Sequence, residues 1–200
     1  MGEIEKGILK IKEAFPEEIG CHKQCSDCCF AVFDLSLVEA VYLNYRFFQE
    51  KGKEEQETIL EKANTADRQA YRIKRNLNKM LTQGKQTEEE VLSLLSQERI
   101  ECPLLNKNSL CDLYEYRPIT CRVYGVPTAI HGAGHTCGIS GFREGIAYPT
   151  INLDTINNRL IALSRDLLEE IQVKNPPLEQ RWLPLSTSLL TDYDEDYFGL

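Results

Sequence analysis

Eight cysteines fall into two groups, and this grouping constrains what the chain can form more than any other feature of the sequence. The first group lies within nine residues and comprises Cys21, Cys25, Cys28 and Cys29. The second group lies beyond the middle of the chain and comprises Cys102, Cys111, Cys121 and Cys137. Spacers of two or three residues let a turn aim successive thiolates at one point. Cysteines that serve only as small hydrophobes are instead scattered through periodic segments. We therefore predict that all eight cysteines are metal ligands.

Length and composition indicate an ordinary folded protein of the cytoplasm. The 200 residues are 42% hydrophobic and 27% charged, and a chain of this size buries about 70% of its unfolded surface without help from a metal. No stretch approaches the eighteen apolar residues of a membrane-spanning helix, and the first residues alternate charged and apolar side chains, unlike a secretory signal. We therefore expect a cytoplasmic location, no membrane partner, and reduced thiols in place of a disulfide framework.

The charge balance argues against nucleic acid as a partner. The formal net charge is −8, with 31 acidic and 23 basic side chains, and such a chain repels a phosphate backbone unless its basic residues share one face. One basic cluster comprises Arg68, Arg72, Lys74, Arg75 and Lys79. It lies on a helical pattern, and we interpret it as a solvated face.

The apolar pattern predicts a mostly α-helical single domain over residues 1–200. The predicted helices run from Ile4 to Pro16, from Ser36 past Phe48, from Glu54 to Gly84, from Thr87 to Arg99, and from Asp154, as a cap, to Pro176. Ser36 with Glu39 and Thr87 with Glu90 form capping-box pairs. Residues 100–150 are rich in glycine and proline and carry four cysteines, which predicts a long irregular Cys/Gly-rich metal-binding loop region. The acidic tail, residues 191–200, is expected at the surface.

The ligand type leaves the metal open between zinc and an iron-sulfur cluster, because both accept four thiolates. Cys102 is followed by Pro103, as in bacterial ferredoxin motifs, which tips the choice slightly toward a [4Fe-4S] cluster. Cys28 and Cys29 are adjacent, and neighbouring side chains point in different directions. The eight thiols therefore suit two four-thiolate sites, one polynuclear cluster, or one site with spare reactive thiols.

Other polar residues near the cysteines have two interpretations each. Arg117 and Arg122 flank the Pro118 turn, where they could bind the cofactor by donating hydrogen bonds to a thiolate cluster, or could pin the turn through ion pairs. His131 and His135 lie in a glycine-rich stretch that ends at Cys137. We favour local hydrogen bonding over metal binding for these histidines, since an imidazole is easily satisfied by backbone or water.

The two cysteine groups resemble the YkgJ-type cysteine-cluster family, a zinc- or iron-chelating domain. The resemblance covers about residues 21 to 125. It rests first on the CxxCxxCC element, although three residues rather than two separate Cys21 from Cys25 here. It rests second on a longer element with the residues Cys102, Pro103, Leu104, Cys111, Tyr114, Arg117, Pro118, Cys121 and Arg122. The resemblance implies metal chelation without a settled reaction, and a structural zinc-binding interaction module with a protein partner is one alternative.

Two further alternatives involve S-adenosylmethionine. The cysteine-cluster family looks related to FliB-type flagellin lysine methylases, so the resemblance also implies an iron-sulfur protein N-methyltransferase acting on a protein substrate. The spacing C-x3-C-x2-C from Cys21 to Cys28 is also that of radical-SAM enzymes. That motif normally carries an aromatic residue before its last cysteine and follows a barrel strand, whereas Asp27 stands there and few strand patterns occur. We therefore disfavour radical-SAM chemistry.

Overall fold

The computed structural model describes residues 2–173 and 176–200, and its secondary structure is mostly helical, as predicted. The α-helices are α1 (Gly2–Ala14), α2 (Leu37–Glu50), α3 (Lys53–Thr82), α4 (Glu88–Gln97), α5 (Ile119–Val123), α6 (Leu153–Glu170), α7 (Pro176–Glu179), α8 (Leu185–Leu190) and α9 (Glu195–Phe198). The strands are β1 (Asp34–Ser36), β2 (Thr128–Ile130), β3 (Ala133–His135), β4 (Ile151–Asn152) and β5 (Trp182–Pro184). Short 3-10 helices span Pro16–Glu18, Asp27–Phe30 and Tyr114–Tyr116.

Two small sheets join distant parts of the chain. β1 pairs antiparallel with β5, so that Leu35 lies opposite Leu183. In the other sheet β2 is central, antiparallel to β3 and parallel to β4. Strands of two or three residues are too short to carry a readable alternation, and the sequence did not predict them. Within residues 2–173 and 176–200 the only parallel strand pair is β2 with β4.

The larger hydrophobic core packs α2, α3, α6 and α8 around the β1–β5 pair. Its buried members are Leu35, Leu37, Ala40, Leu43, Phe47, Ile59, Ala63, Leu104, Leu113, Leu168, Leu178, Leu183, Leu189 and Phe198. The predicted apolar stripe of α3 supplies Ile59 and Ala63, four residues apart on one helix face. Because β1 begins shortly after Cys29, this core anchors the first cysteine group from its C-terminal side.

A second, smaller core packs α1 against α5 and the loops that follow it. Its buried members are Ile8, Ile11, Val123, Val126 and Phe142. Phe15 and Tyr148 add an edge-to-face contact, with ring centroids 5.2 Å apart. This core anchors the chain that leads into Cys21, and it also holds α5, which carries Cys121.

The helix starts largely follow the predicted capping pattern. Glu39 accepts the Ser36 amide at 3.2 Å, and Thr87 exchanges hydrogen bonds with Glu90 at 2.8 and 3.2 Å. The prediction that Asp154 caps α6 is wrong. The Asn152 side chain accepts the Thr155 amide at 2.8 Å instead, because the helix begins two residues earlier than its apolar period indicates.

The cysteine-rich region and the C-terminal tail differ in how well the sequence predicted them. Residues 100–150 contain only short elements, with α5 as their longest, which confirms the irregular loop region. The tail was expected at the surface, but Phe198 is buried in the larger core and Tyr193 packs against that core. The acidic residues of the tail are typical of a surface segment, so the burial of its aromatic residues could not be predicted from composition. Among the described residues, no helix is both long and apolar enough to cross a membrane.

Replacing Phe47 with alanine is expected to destabilise the fold by about 3–5 kcal/mol, because the side chain is fully buried in the larger core. Tyr45 lies on the same helix, but its side chain is 56% exposed. Tyr45→Ala is therefore the matched control on the same helix, expected within about 0.5 kcal/mol of the wild type. Urea unfolding followed by circular dichroism measures both variants. Equal losses would contradict this assignment of the α2 faces.

Candidate metal centre

All eight cysteines line a single cavity, which brings together thiols from both halves of the sequence. The cavity has a volume of about 650 Å³ and lies between the two hydrophobic cores. All eight thiols are free of disulfide bonds. The fold therefore brings the early and late cysteines together in one region.

Local turns position the first cysteine group. The Cys25 amide donates to the His22 carbonyl at 3.0 Å, and the Cys29 amide donates to the Ser26 carbonyl at 2.9 Å. Gln24, the last residue of the three-residue spacer, has a φ of 72°. This left-handed conformation costs a non-glycine residue roughly 1–2 kcal/mol. It lets the chain absorb one residue more than the CxxCxxCC pattern contains.

A short backbone ladder joins the two cysteine groups. The Cys102 amide donates to the Cys29 carbonyl at 2.7 Å, and the Ile100 amide donates to the Phe30 carbonyl at 3.0 Å. Ala31 and Arg99 extend this contact as an antiparallel bridge. The ladder fixes the backbone of Cys102 beside the 3-10 helix that carries Cys28 and Cys29, so the approach of these cysteines does not depend on a metal.

Two further contacts place the remaining cysteines of this side of the cavity. Cys111 pairs with Leu105 across a tight turn as an isolated antiparallel bridge. Cys121 lies on α5, whose first amide, from Ile119, donates to Glu39 Oε1 at 3.0 Å. Glu39 thereby ties the start of α5 to the start of α2, which belongs to the larger core.

Five thiols lie close enough to influence one another's pKa values and form a group that we call the inner thiols: Cys28, Cys29, Cys102, Cys111 and Cys121. Burial raises the pKa of Cys102 to about 12, and burial also raises the pKa values of Cys111 and Cys121. A hydrogen bond from Cys29 lowers the pKa of Cys28 to about 7, and the positive charge of Arg117 adds to that effect. The same hydrogen bond raises the pKa of Cys29. Cys28 is therefore the first inner thiol to ionise.

Three further thiols neighbour one another and form a second group that we call the outer thiols: Cys21, Cys25 and Cys137. Cys21 is exposed, whereas Cys137 is 7% exposed. Burial raises the pKa of Cys21, and the nearby Cys25 and Cys137 raise it further. The Cys137 thiol donates to Asp27 Oδ2 at 3.6 Å, and Asp27 also forms an ion pair with Arg99 at 2.6 Å.

The two arginines that the sequence singled out have different surroundings. The Arg117 guanidinium lies 3.6 Å from the centre of the Tyr114 ring, and its charge lowers the pKa values of Cys28 and Cys111. Arg122 donates from Nε to the Arg117 carbonyl at 2.9 Å and from a terminal nitrogen to the Glu5 carboxylate at 3.3 Å. Arg122 therefore pins the turn, while Arg117 faces the inner thiols. Cofactor binding by Arg117 and Arg122 stays a prediction.

The remaining polar residues near the thiols include some that the sequence did not identify. His22 lines the cavity, and its Nδ1 is 2.8 Å from the Lys23 carbonyl, whereas His131 and His135 lie outside the cavity lining. Asp27 and Tyr124 lie together beside Cys137, and burial raises the pKa of Tyr124 to about 12. The position of Asp27 immediately before Cys28 could have marked it as a candidate site residue. In the sequence this position served only as an argument against radical-SAM chemistry.

The thiols do not form a finished coordination shell. Within the described part of the chain, no three side chains of cysteine, histidine, aspartate or glutamate are placed so that together they hold a metal ion. Cys28 and Cys29 instead share a hydrogen bond. Coordination therefore requires loss of thiol protons and side-chain rotation within the cavity, whereas the backbone ladder already fixes the main chain.

Comparison with known protein families gives one match. The family model named CxxCxxCC, described as a "putative zinc- or iron-chelating domain", matches residues 20–138. The match covers more than half of the 200 residues and includes all eight cysteines. It extends beyond residue 125, where the resemblance was drawn from the sequence, as far as the glycine after Cys137. Comparisons with curated proteins and with solved structures found no match.

Proposed function

Since the chain belongs to the CxxCxxCC family of zinc- or iron-chelating domains, we propose that its inner thiols hold a resident metal centre. The observation that carries this proposal is the single cavity lined by cysteines from both halves of the chain. Soft thiolates select zinc and iron-sulfur clusters over the hard cations that prefer oxygen. Either group needs four thiolates, which we assign to Cys28, Cys102, Cys111 and Cys121, with Cys29 as the hydrogen-bond partner of Cys28.

Within that proposal we favour a [4Fe-4S] cluster over a single zinc ion. Cys102 is followed by Pro103, as in bacterial ferredoxin motifs, which favours a cluster. The positive charge of Arg117 beside the inner thiols offsets the negative charge of a thiolate-bound cluster, an effect that raises reduction potentials. A cluster supplies one-electron chemistry when bound, whereas zinc supplies a structural cross-link. A reducing cytoplasmic setting belongs to the same proposal and is supported by eight free thiols.

Anaerobic purification followed by metal analysis and an absorbance spectrum tests both levels of this proposal. We expect a brown protein with about four irons and four sulfides per chain, as a [4Fe-4S] cluster requires. A colourless protein that contains zinc would remove the cluster and leave the metal centre as a structural zinc site. A protein that contains neither metal, and that takes up neither iron nor zinc after reduction, would overturn the proposal as a whole.

A second candidate function, an iron-sulfur protein methyltransferase that uses S-adenosylmethionine, is supported by the extent of the cavity. Beyond the thiols the cavity continues along apolar side chains such as Leu43, Ala66 and Leu185. Ligand pockets commonly combine apolar walls with a few polar groups in this way. Calorimetric titration of S-adenosylmethionine into the metal-loaded protein tests this candidate. Absence of binding at millimolar concentration would remove it, and with it the need for a protein substrate.

A further inference from the structure

We propose that the outer thiols and the Asp27 carboxylate form a second metal site, separate from the inner thiols and reached from solvent at Cys21. This inference rests on the proposed function, because it divides the same cysteines between two centres. The site would take a thiophilic divalent cation, with Zn²⁺ as the natural candidate. Three thiolates and one carboxylate are ligands that zinc accepts, and together they complete its usual four-coordinate shell.

The backbone that carries the outer thiols is held by its own set of contacts. The Gly141 amide donates to the Glu18 carbonyl at 2.8 Å, which ties the chain after Cys137 to the chain before Cys21. At Gly20 the two segments touch so closely that a Cβ atom would lie 2.2 Å from the Ile139 carbonyl oxygen. These contacts bring Cys21 and Cys137 together without involving the ladder between Cys29 and Cys102.

Gly125 provides the space into which the Cys21 side chain projects. A Cβ atom on Gly125 would lie 2.2 Å from Cys21 Sγ, a separation that real Cβ atoms essentially never show. The sulfur of Cys21 is therefore seated against the backbone at the end of α5, although the residue as a whole is exposed. A cysteine with a purely solvent-directed side chain would not require glycine at this position.

Asp27 supplies a carboxylate next to Cys137. Its Oδ2 accepts the Cys137 thiol at 3.6 Å, and its Oδ1 accepts Arg99 at 2.6 Å. Arg99 thus fixes the carboxylate and offsets negative charge next to the outer thiols, as outer-shell partners of metal ligands do. Asp27 also connects the outer and inner thiols along the chain, because the next residue, Cys28, is an inner thiol.

Native mass spectrometry of reduced, metal-free protein titrated with Zn²⁺ alone tests the inference. The wild type is expected to bind two equivalents, one in each group of thiols. The variant Cys21→Ser/Cys25→Ser/Cys137→Ser is expected to bind one equivalent, and Cys102→Ser/Cys111→Ser/Cys121→Ser is expected to keep the other. Circular dichroism checks that each triple variant is folded.

A single glycine substitution tests the same site without removing any ligand. Gly125→Ala displaces Cys21 Sγ and is expected to weaken binding of the outer equivalent by at least tenfold, while the inner equivalent is unchanged. Gly138→Ala is the matched control, because it lies beside Cys137 and an added Cβ there has no heavy atom within 4 Å. Equal affinities for Gly125→Ala and wild type would count against the role of Cys21.

The outcomes separate this inference from the proposed function. A wild type that binds one equivalent, or an outer triple variant that still binds two, would overturn the second site and leave the inner centre in place. Loss of both equivalents in the outer triple variant would show one shared centre and would also overturn it. A folded wild type that binds no zinc and no iron would instead remove the proposed function on which the inference rests.

Discussion

Cys121→Ser is expected to abolish stable metal binding by the inner thiols and to remove the stabilisation that the metal gives to the fold. Replacing a direct ligand should weaken binding by more than the roughly 10–100-fold loss that follows from changing an outer-shell partner. If the free metal is present at about 1,000 times the dissociation constant, binding stabilises the native state by about 4 kcal/mol. For a chain of this length that corresponds to roughly 8–16 °C in melting temperature.

Thermal unfolding of metal-loaded protein, with and without a chelator, measures this effect. The wild type should lose the full shift when the chelator is added, and Cys121→Ser should keep only the part of the shift that comes from the outer thiols. Cys21→Ser is the matched control, because Cys21 is exposed and belongs to the outer thiols. It should retain most of the metal-dependent shift. A Cys121→Ser variant that keeps the whole shift would show that this buried cysteine is only a small core residue.

The helices could be predicted from the sequence because their signals are local. The stripe of α3 and the capping pair of Thr87 and Glu90 depend on residues three or four positions apart, and both lie where the sequence placed them. The apolar and aromatic residues of α2 do not by themselves identify its buried face: Phe47 is fully buried, whereas Tyr42 and Tyr45 are at least half exposed. An amphipathic aromatic ring carries no information about which side of a helix is covered.

The contacts that assemble the metal centre could not be predicted, because they join residues far apart in sequence. The hydrogen bond from the Cys102 amide to the Cys29 carbonyl connects two backbones, and a backbone contact leaves no trace in residue type. The pairing of Asp27 with Arg99 depends on that same ladder. The close spacing of the cysteines therefore predicts a metal centre, whereas the division into inner and outer thiols depends on contacts between residues far apart in sequence.

The role of two glycines could not be predicted from the sequence, because it depends on close contacts with distant parts of the chain. Gly20 and Gly125 read as ordinary loop residues, yet each sits where an added Cβ would lie 2.2 Å from another atom. Both contacts surround Cys21, the cysteine whose spacing departs from the family pattern. The extra residue of the spacer and the close approach at Gly125 thus belong to the same local arrangement, in which Gln24 takes a left-handed conformation and Cys21 Sγ packs on the chain.

Metal loading of the inner thiols is expected to become steeply tighter as the pH rises. Ligating thiols must lose their protons, and burial raises the pKa values of Cys102, Cys111 and Cys121 above the ordinary thiol range. Above about pH 7 Cys28 is already largely ionised, so binding through these four residues releases about three protons. Each released proton makes the binding constant rise tenfold per pH unit, which gives roughly a 1,000-fold rise per unit.

Calorimetric titration of Zn²⁺ in two buffers of different ionisation enthalpy counts the released protons directly. Between pH 7 and 8 we expect about three, and below pH 6, where Cys28 is protonated in the free protein, about four. Measurements on the outer triple variant confine the count to the inner thiols, and His135→Ala controls for an exposed imidazole near the other group. Release of fewer than one proton at pH 7 would mean that the metal is not bound by these buried thiols, whatever its stoichiometry. Metal affinity rises with pH because burial keeps these thiols neutral, and the thiols must lose their protons before they can bind a cation.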